Sequence, residues 1–194
     1  MDYAQDKRKE RFEMMVGGKG YTTTDIEMLP EGERAELIDG EMFMMAPPSF
    51  IHQEILVKLI FEIEWYIRKN KGKCKVIPAP FGVYIKNDNR NFVEPDISVI
   101  CDEEKRSEKG CHGAPDWIIE IVSPSSKKMD YVRKTALYHE AGVREYWIVD
   151  PYKERIFVYR LEQERFGVET YTFQDSIPAG IYTDLEIDFT SLDF

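Results

Sequence analysis

The chain has 194 residues, of which 43% are hydrophobic and 13% aromatic, so it has material for one buried core and too little length for two ordinary domains. Its 32% charged residues, 12 glycines and 10 prolines exclude a fibrous or wholly disordered chain. A formal net charge of -10 argues against a protein that coats nucleic acid with a globally positive surface, but does not exclude a local binding site.

The first residues are charged throughout and lead into a glycine-rich joint. Residues 1–20 are therefore expected to form a flexible charged tail, and residues 21–194 a single domain. The charged start is unlike a signal peptide, and no apolar run approaches the roughly 20 residues that a membrane-spanning helix needs. We expect a cytoplasmic protein without a membrane segment.

The first elements of the predicted domain are a short helix and a hairpin. Thr24 is a suitable N-cap for the helix. Residues 35–38 and 41–45 read as two strands, because Asp39-Gly40 accepts the positive φ angles of a type I′ turn. This segment is expected to be an N-terminal β-hairpin.

A long amphipathic helix is predicted over residues 49–69, and Gly72 is expected to end it. Its apolar residues recur at spacings of three and four, at Ile51, Ile55, Leu59, Ile63 and Tyr66. Strands are predicted over residues 74–85 and 92–101, and a loop over residues 102–115.

Residues 117–122 form a nearly continuous apolar run, which is typical of a central strand that is covered on both faces. The later patterns predict a helix over residues 128–140 and a hairpin of strands 145–150 and 156–159. Two short strands are predicted over residues 170–173 and 185–189. These elements favour an α+β (mixed α/β) fold, in which a central mixed β-sheet is flanked by helices.

The three cysteines, Cys74, Cys101 and Cys111, are odd in number and include no C-x-x-C pair. The sequence therefore predicts neither a disulfide framework nor a four-ligand zinc site. Cys111 beside His112 could be half of a metal site, or two residues of a loop. Basic residues cluster within 68–75 and 127–134, and either cluster could be a solvated surface or a local binding patch.

Two acidic residues lie where apolar packing would be the default. Asp96 precedes an apolar stretch, and Glu120 lies between Ile119 and Ile121 in the most apolar strand. Burying an ionised carboxylate without a partner costs at least several kcal/mol, so each must be paired, hydrogen-bonded or metal-bound. If Asp96 is on the strand next to Glu120, the two carboxylates meet at one end of the sheet.

Two carboxylates, helped by a backbone carbonyl and waters, are a usual way to hold Mg²⁺. Such a site would indicate phosphodiester chemistry. The alternative is that Asp96 and Glu120 are structural polar groups, which accept hydrogen bonds from loop amides or pair with lysines. Composition and periodicity leave both readings open.

At Pro95-Asp96 and Glu120 the sequence resembles the PD-(D/E)XK nuclease superfamily, and more closely the Uma-type putative restriction endonuclease family. The resemblance extends from about Tyr21 to near the end of the chain. Its most specific part is the run from Glu120 to Pro151. The matching stretches are residues 36–41, 52–53, 94–96, 113–116, 120–126 and a spaced motif over 134–151.

The resemblance implies a restriction-endonuclease-like fold, with Asp96, Glu120 and the backbone carbonyl of Ile121 as ligands of Mg²⁺ or Mn²⁺. The superfamily has a lysine two residues after the acid, where this sequence has Val122. Similar nucleases supply that ammonium from the next helix. Lys134 is the candidate, because it shares a helical stripe with Tyr131, Tyr138 and Ala141. The alternative is that Lys134 is a surface lysine.

Glu36 and His52 are the other two candidate active-site residues. Glu36 could add a third acid from the hairpin, or form a salt bridge with Arg34 or another neighbour. His52 lies on the helix stripe with Ile55 and Leu59, where a hydrogen-bonded core histidine is the alternative.

The resulting hypothesis is a Mg²⁺-dependent endonuclease that hydrolyses DNA phosphodiester bonds. A homodimer is expected by analogy with restriction enzymes, which need two sites to cut both strands. The main alternative is a catalytically inactive nuclease-like binding or assembly module. A glycosidase-type carboxylate pair is a weaker alternative, because the pattern shows no aromatic-lined sugar site.

Overall fold

The computed structural model describes residues 20–124, 129–162 and 167–192. The tail predicted for residues 1–20 lies outside these ranges except for Gly20, and the division into a tail and one domain stays a prediction. Three α-helices are described, at α1 (Thr23–Glu27), α2 (Phe50–Lys69) and α3 (Thr135–Ala141). The π-helical segment Met129–Lys134 leads into α3, and 3₁₀ turns occupy Glu103–Lys105 and Phe189–Leu192. No helix in the described ranges is long and apolar enough to cross a membrane.

Thirteen strands are described, at β1 (Ala35–Ile38), β2 (Glu41–Met44), β3 (Lys75–Pro78), β4 (Val83–Tyr84), β5 (Ile97–Ile100), β6 (Arg106–Ser107), β7 (Gly110–His112), β8 (Trp117–Ile121), β9 (Glu145–Asp150), β10 (Arg155–Arg160), β11 (Gly167–Thr172), β12 (Ser176–Pro178) and β13 (Glu186–Asp188). Six of them form the central sheet, in the order β11-β10-β9-β8-β5-β3. The β8–β9 pair is parallel and the other pairs are antiparallel, so the sheet is mixed as predicted.

The prediction of a central strand at β8 is confirmed. Ile119 packs into the core beneath α2, and the neighbouring Ile118 packs into the core beneath α3. Both side chains are fully buried, because successive residues of a strand point to opposite faces and helices cover both faces here. The continuous apolar run follows from this two-sided burial.

Helix α2 covers one face of the sheet. Ser49 caps its first turn by accepting a hydrogen bond from the His52 amide, over 3.4 Å. The helix ends at Lys69, and the left-handed residue that follows is Lys71, with φ 52°, rather than Gly72. The predicted helix is confirmed. The left-handed residue that follows it is at position 71 rather than at the predicted glycine, position 72.

The predicted N-terminal hairpin is confirmed, with β1 antiparallel to β2. Asp39 and Gly40 have φ angles of 51° and 77°, as a type I′ turn requires. The short helix α1 is capped by Thr22 rather than Thr24, and the Asp25 carboxylate accepts a hydrogen bond from the Thr22 amide over 2.8 Å.

The strands predicted over 74–85 and 92–101 are each broken. A cis Ala79–Pro80 peptide separates β3 from β4, and proline has no N–H with which to continue a ladder. In the second segment only β5 is a full strand, and Phe92 forms an isolated bridge with Leu37. The loop predicted over 102–115 is also wrong in part, because β6 and β7 join β4 in a three-stranded sheet.

In the second half of the chain, the predicted helix over 128–140 is divided between the π-helical segment and α3. Gly142, in the left-handed region with φ 86°, ends α3. The hairpin of β9 and β10 is confirmed. Strand β11 begins earlier than predicted, and β12, which pairs with β13, was not predicted.

The sequence predicted no disulfide framework, whereas the structure has one disulfide, between Cys74 and Cys101. They lie just beyond Lys75 and Ile100, which are partners in the β3–β5 pair. The pairing of two separate strands brings the sulfurs together, which spacing along the chain does not reveal. Cys111 is a buried thiol, and burial raises its pKa to about 11. The neighbouring His112 side chain is exposed, so the two do not form half of a metal site.

The join between β7 and the segment before β4 requires glycine at position 110. Gly110 has φ 138°, and a Cβ there would lie 2.3 Å from the Gly82 carbonyl oxygen. We expect Gly110→Ala to lower the free energy of unfolding by about 3 kcal/mol, measured by urea denaturation. The matched control is Gly142→Ala, which also has positive φ but open space around the new methyl, with an expected loss of about 1 kcal/mol. Equal losses in the two variants would contradict the steric argument.

Candidate active site

The predicted meeting of the two carboxylates is observed at the end of the β5–β8 pair. Ile97 pairs with Ile119, so Asp96 and Glu120 lie opposite each other. The Asp96 amide donates to Glu120 Oε2 over 3.3 Å, and the Ile121 amide donates to Asp96 Oδ2 over 2.7 Å. Each carboxylate is thus held by the backbone of the other strand.

Glu120 is 3% exposed, and its second oxygen has two further donors. Lys134 Nζ lies 2.8 Å and the Tyr138 hydroxyl 2.7 Å from Glu120 Oε1. Burial raises the pKa of Glu120 well above its usual value, against the effect of the Lys134 ammonium. Burial, together with the Glu120 charge, also raises the pKa of Tyr138, so its hydroxyl remains a donor.

Lys134 is 4% exposed, so the alternative of a surface lysine is wrong. Its ammonium lies 2.8 Å from Glu36 Oε2 and 3.6 Å from Asp130 Oδ1, in addition to Glu120. Burial lowers the pKa of Lys134, but the three carboxylates outweigh burial and raise it well above its usual value. Lys134 is therefore a buried cation held among acids.

Glu36 and His52 both reach this cluster. Glu36 pairs with Lys134 rather than Arg34, and it also accepts a hydrogen bond from the Glu94 amide over 3.0 Å. Arg34 pairs with the Glu94 carboxylate instead. His52 Nε2 lies 3.1 Å from Asp96 Oδ2. His52 thus contacts the aspartate of the carboxylate pair, whereas Lys134 contacts the glutamate. All five predicted side chains are therefore brought together.

Sequence reasoning missed two members of the cluster. Asp130 is buried beside Lys134, and Tyr138 was predicted only to share a helical stripe with Lys134, not to be a partner of Glu120. The same stripe could have been extended to Asp130, because Asp130 precedes Lys134 by four residues, as Lys134 precedes Tyr138. The π-helical segment that carries Asp130 is a feature often found at functional sites.

A cavity of about 450 Å³ opens over these residues. Asp96, Glu120 and Lys134 line it together with Glu36 and His52. Another part of its lining is apolar and comes from the end of β2 and the residues after it, namely Phe43, Met44, Met45, Pro47 and Pro48. The buried carboxylates are thus accessible from a pocket large enough for part of a substrate.

The residues present fit a hard divalent cation. In the described ranges, no three His, Cys, Asp or Glu side chains are arranged to enclose a metal. Mg²⁺ needs only one or two carboxylates, because it keeps several waters. Three buried carboxylates, those of Glu36, Glu120 and Asp130, contact the ammonium of Lys134, and the half-buried Asp96 lies opposite Glu120. A divalent cation would offset this excess of negative charge.

Comparison with known proteins gives three results. The family model described as "Putative restriction endonuclease" (Uma2) matches residues 23–189. An uncharacterized protein of Synechocystis sp. is 28% identical over 128 residues, and the chain spans 66% of that relative's length. The crystal structure of a putative nuclease belonging to DUF820, from Anabaena variabilis, matches with a TM-score of 0.72 and 24% identity.

The structural match covers 89% of this chain and 97% of the other, so the two proteins share a fold. The α+β architecture with a central mixed sheet is therefore shared with the Anabaena protein, which is described as a putative nuclease. The family model extends over most of the chain, from α1 to the last 3₁₀ turn. On this match the chain belongs to the Uma2 family, described as putative restriction endonucleases.

Proposed function

We propose that this protein is a Mg²⁺-dependent endonuclease that hydrolyses DNA phosphodiester bonds. The observation that carries the proposal is the Asp96–Glu120 pair, which is held by backbone amides at a cavity and contacted by the buried ammonium of Lys134. The family description supports a nucleic acid substrate. Restriction endonucleases cleave DNA, so DNA is the nucleic acid that we propose as the substrate.

Asp96 and Glu120 would hold Mg²⁺ or Mn²⁺, with the Ile121 carbonyl as a third oxygen ligand. When bound, the cation supplies a more acidic water as nucleophile and polarises the phosphate. The chain's own part is to keep both carboxylates in position, and the reciprocal hydrogen bonds between β5 and β8 do this. Such preorganisation avoids reorientation during the reaction.

Lys134 takes the role of the lysine that Val122 replaces. Its ammonium is fixed by Glu36, Glu120 and Asp130, and it stays positively charged because of them. A cation at this position stabilises the charge that develops on a phosphate during attack. In this proposal Tyr138 and His52 orient Glu120 and Asp96, respectively, through the contacts described above.

Plasmid cleavage in Mg²⁺, Mn²⁺ or EDTA, with wild-type protein and Asp96→Asn prepared identically, tests the proposal. Wild-type protein is expected to nick or cut the plasmid with either metal and not with EDTA. Asp96→Asn is expected to lose this activity by on the order of 10³-fold, because the substitution removes a metal-binding charge. Equal cleavage by both proteins would mean that the activity does not come from this site.

An inactive binding module is the second candidate. Its support is that Lys134 and Tyr138 already occupy Glu120 Oε1, and that Val122 stands in the position of the superfamily lysine. This reading predicts DNA binding without cleavage in any metal, measured by fluorescence anisotropy with a labelled duplex.

The cytoplasmic location stays a prediction, and the Cys74–Cys101 disulfide is more typical of an oxidising compartment.

A further inference from the structure

Part of the cavity has no role in the proposed metal chemistry. Its side chains are apolar and come from three segments, and we call this part the apolar wall: Phe43, Met44, Met45, Leu56 and Met129. All of them except Leu56 are half-buried, so they keep surface that a ligand can cover. Hydrocarbon and thioether groups neither bind a hard cation nor pair with a phosphate. The apolar wall is therefore suited to a different part of a substrate.

The register of the N-terminal hairpin sets the apolar wall against the acidic cluster. Phe43 is the cross-strand partner of Glu36, so the two side chains lie on one face of the hairpin. Met45 follows on the same face two residues later, because side chains alternate along an extended segment. Glu36 Oε2 lies 2.8 Å from the Lys134 ammonium, which also contacts Glu120. A group bound against Phe43 and Met45 therefore lies beside the position proposed for the cleaved phosphate.

The charges around the cavity favour contacts other than those to phosphates. Proteins hold a DNA duplex mainly through cationic groups that neutralise phosphates on both strands. Among the described residues that line this cavity, two carry a positive charge, Arg34 and Lys134, and six carry a carboxylate. Both cations are already paired with carboxylates. With a net charge of -10 on the whole chain, much of the affinity for DNA has to come from its uncharged parts.

Bases are the uncharged parts of DNA that an apolar wall can bind, provided that they are unpaired. In a duplex the base faces are stacked on one another, and a protein meets mainly sugars, phosphates and base edges. An unpaired base can turn out of its strand and stack on side chains. We propose, resting on the function proposed above, that the apolar wall binds the base of an unpaired nucleotide beside the cleaved bond. The protein then acts on single-stranded DNA, or on unpaired segments of a duplex such as negative supercoiling promotes.

The Phe43 ring is already held in place for such a base. The Arg133 guanidinium lies over the ring, 4.9 Å from its centroid, and Glu41 holds this guanidinium through an ion pair of 2.6 Å. Aromatic rings and guanidinium planes both stack on bases. A ring fixed before binding loses little conformational entropy when the base arrives. The cavity of about 450 Å³ is in the range of roughly 300–1,000 Å³ that encloses a small ligand, which suits one nucleotide.

Fluorescence anisotropy with a labelled single strand, and with the same strand in a blunt duplex, tests the base-binding site. Ca²⁺ replaces Mg²⁺ in this measurement, because it takes the same oxygen ligands in a looser geometry. Wild-type protein is expected to bind the single strand about 10-fold more tightly than the duplex. Met45→Ala and Phe43→Leu are each expected to weaken single-strand binding about 10-fold and so to remove the preference over the duplex, because they remove contacts that only an unpaired base makes.

Met28→Ala is the matched control. It makes the same change as Met45→Ala at a residue that is 70% exposed, lies just after α1 and is not among the described residues that line the cavity. This variant is expected to keep the single-strand preference of the wild type, and circular dichroism verifies that each variant is folded. A preference that survives in both Met45→Ala and Phe43→Leu overturns the base-binding site. Wild-type protein that binds the duplex as tightly as the single strand overturns it as well.

Cleavage of the same two substrates in Mg²⁺ separates this site from the function on which it rests. The single strand is expected to be cut about 10-fold faster than the duplex. A duplex that is cut as fast as the single strand overturns the base-binding site and leaves the endonuclease in place. If neither substrate is cut, the endonuclease is overturned, whereas single-strand binding that Met45→Ala weakens still supports the base-binding site.

Discussion

Glu120→Gln is expected to lower Mg²⁺-dependent DNA cleavage by on the order of 10³-fold or more while the protein remains folded. Glutamine keeps the shape of the side chain and its place between β5 and the Lys134 ammonium, but it removes the negative charge. A neutral amide is a poor ligand for Mg²⁺, and Lys134 loses the acid nearest to the proposed metal position. Steady-state cleavage of a supercoiled plasmid, at saturating Mg²⁺, measures the effect.

The matched control for this prediction is Glu145→Gln. Glu145 is also a buried glutamate, on the neighbouring strand β9, where it accepts hydrogen bonds from the Trp147 indole and from Arg160. It pairs with Trp117 at the start of β8, whereas Glu120 lies near the end of that strand. Glu145→Gln is expected to cost stability but to retain cleavage activity within about threefold when compared as folded protein. Loss of activity in both variants would show that any damage to the sheet suffices, and would remove the special role of Glu120.

Lys134→Met is expected to lower the free energy of unfolding by about 3–5 kcal/mol in EDTA. Methionine fills a similar volume, but it leaves three buried carboxylates, those of Glu36, Glu120 and Asp130, without their shared cation. Removing one partner of a buried ion pair leaves an uncompensated charge, which is more costly than removing both. Urea denaturation followed by circular dichroism measures the loss.

Two further variants separate this effect from a general effect of removing a lysine. Lys86→Met removes an ammonium that pairs with Glu140 at the surface, so a loss of less than about 1 kcal/mol is expected. Adding Glu36→Gln to Lys134→Met is expected to recover part of the stability, because one uncompensated charge is removed. If Lys134→Met is as stable as the wild type, the carboxylates do not depend on Lys134, and its proposed role in holding the site is wrong.

The elements that could be predicted are those with a local signal. The spacing of apolar residues identified α2, and Asp39-Gly40 identified the first hairpin, because both features depend on neighbours within a few residues. The two strands predicted over residues 74–85 and 92–101 were expected to be continuous, and their breaks were missed. Pro80, which follows a cis peptide bond, lies inside the first of these two segments. A local strand pattern does not show whether a pairing partner is present along its whole length.

The sequence by itself determined the chemical character of the site. An aspartate and a glutamate in apolar strand segments required partners, because burying an unpaired carboxylate is costly. These conclusions depend on residue type and short-range geometry, which the chain carries locally. The amphipathic helix beside the site is determined in the same way.

Only the tertiary structure decided which groups meet. The antiparallel β5–β8 register sets Asp96 against Glu120, and the packing of the π-helical segment beside β1 brings Lys134 between Glu120 and Glu36. The disulfide between Cys74 and Cys101 depends on strand pairing in the same way. Contacts between segments distant in sequence arise from how sheets and helices pack, and that packing minimises the free energy of the whole chain rather than of any one segment.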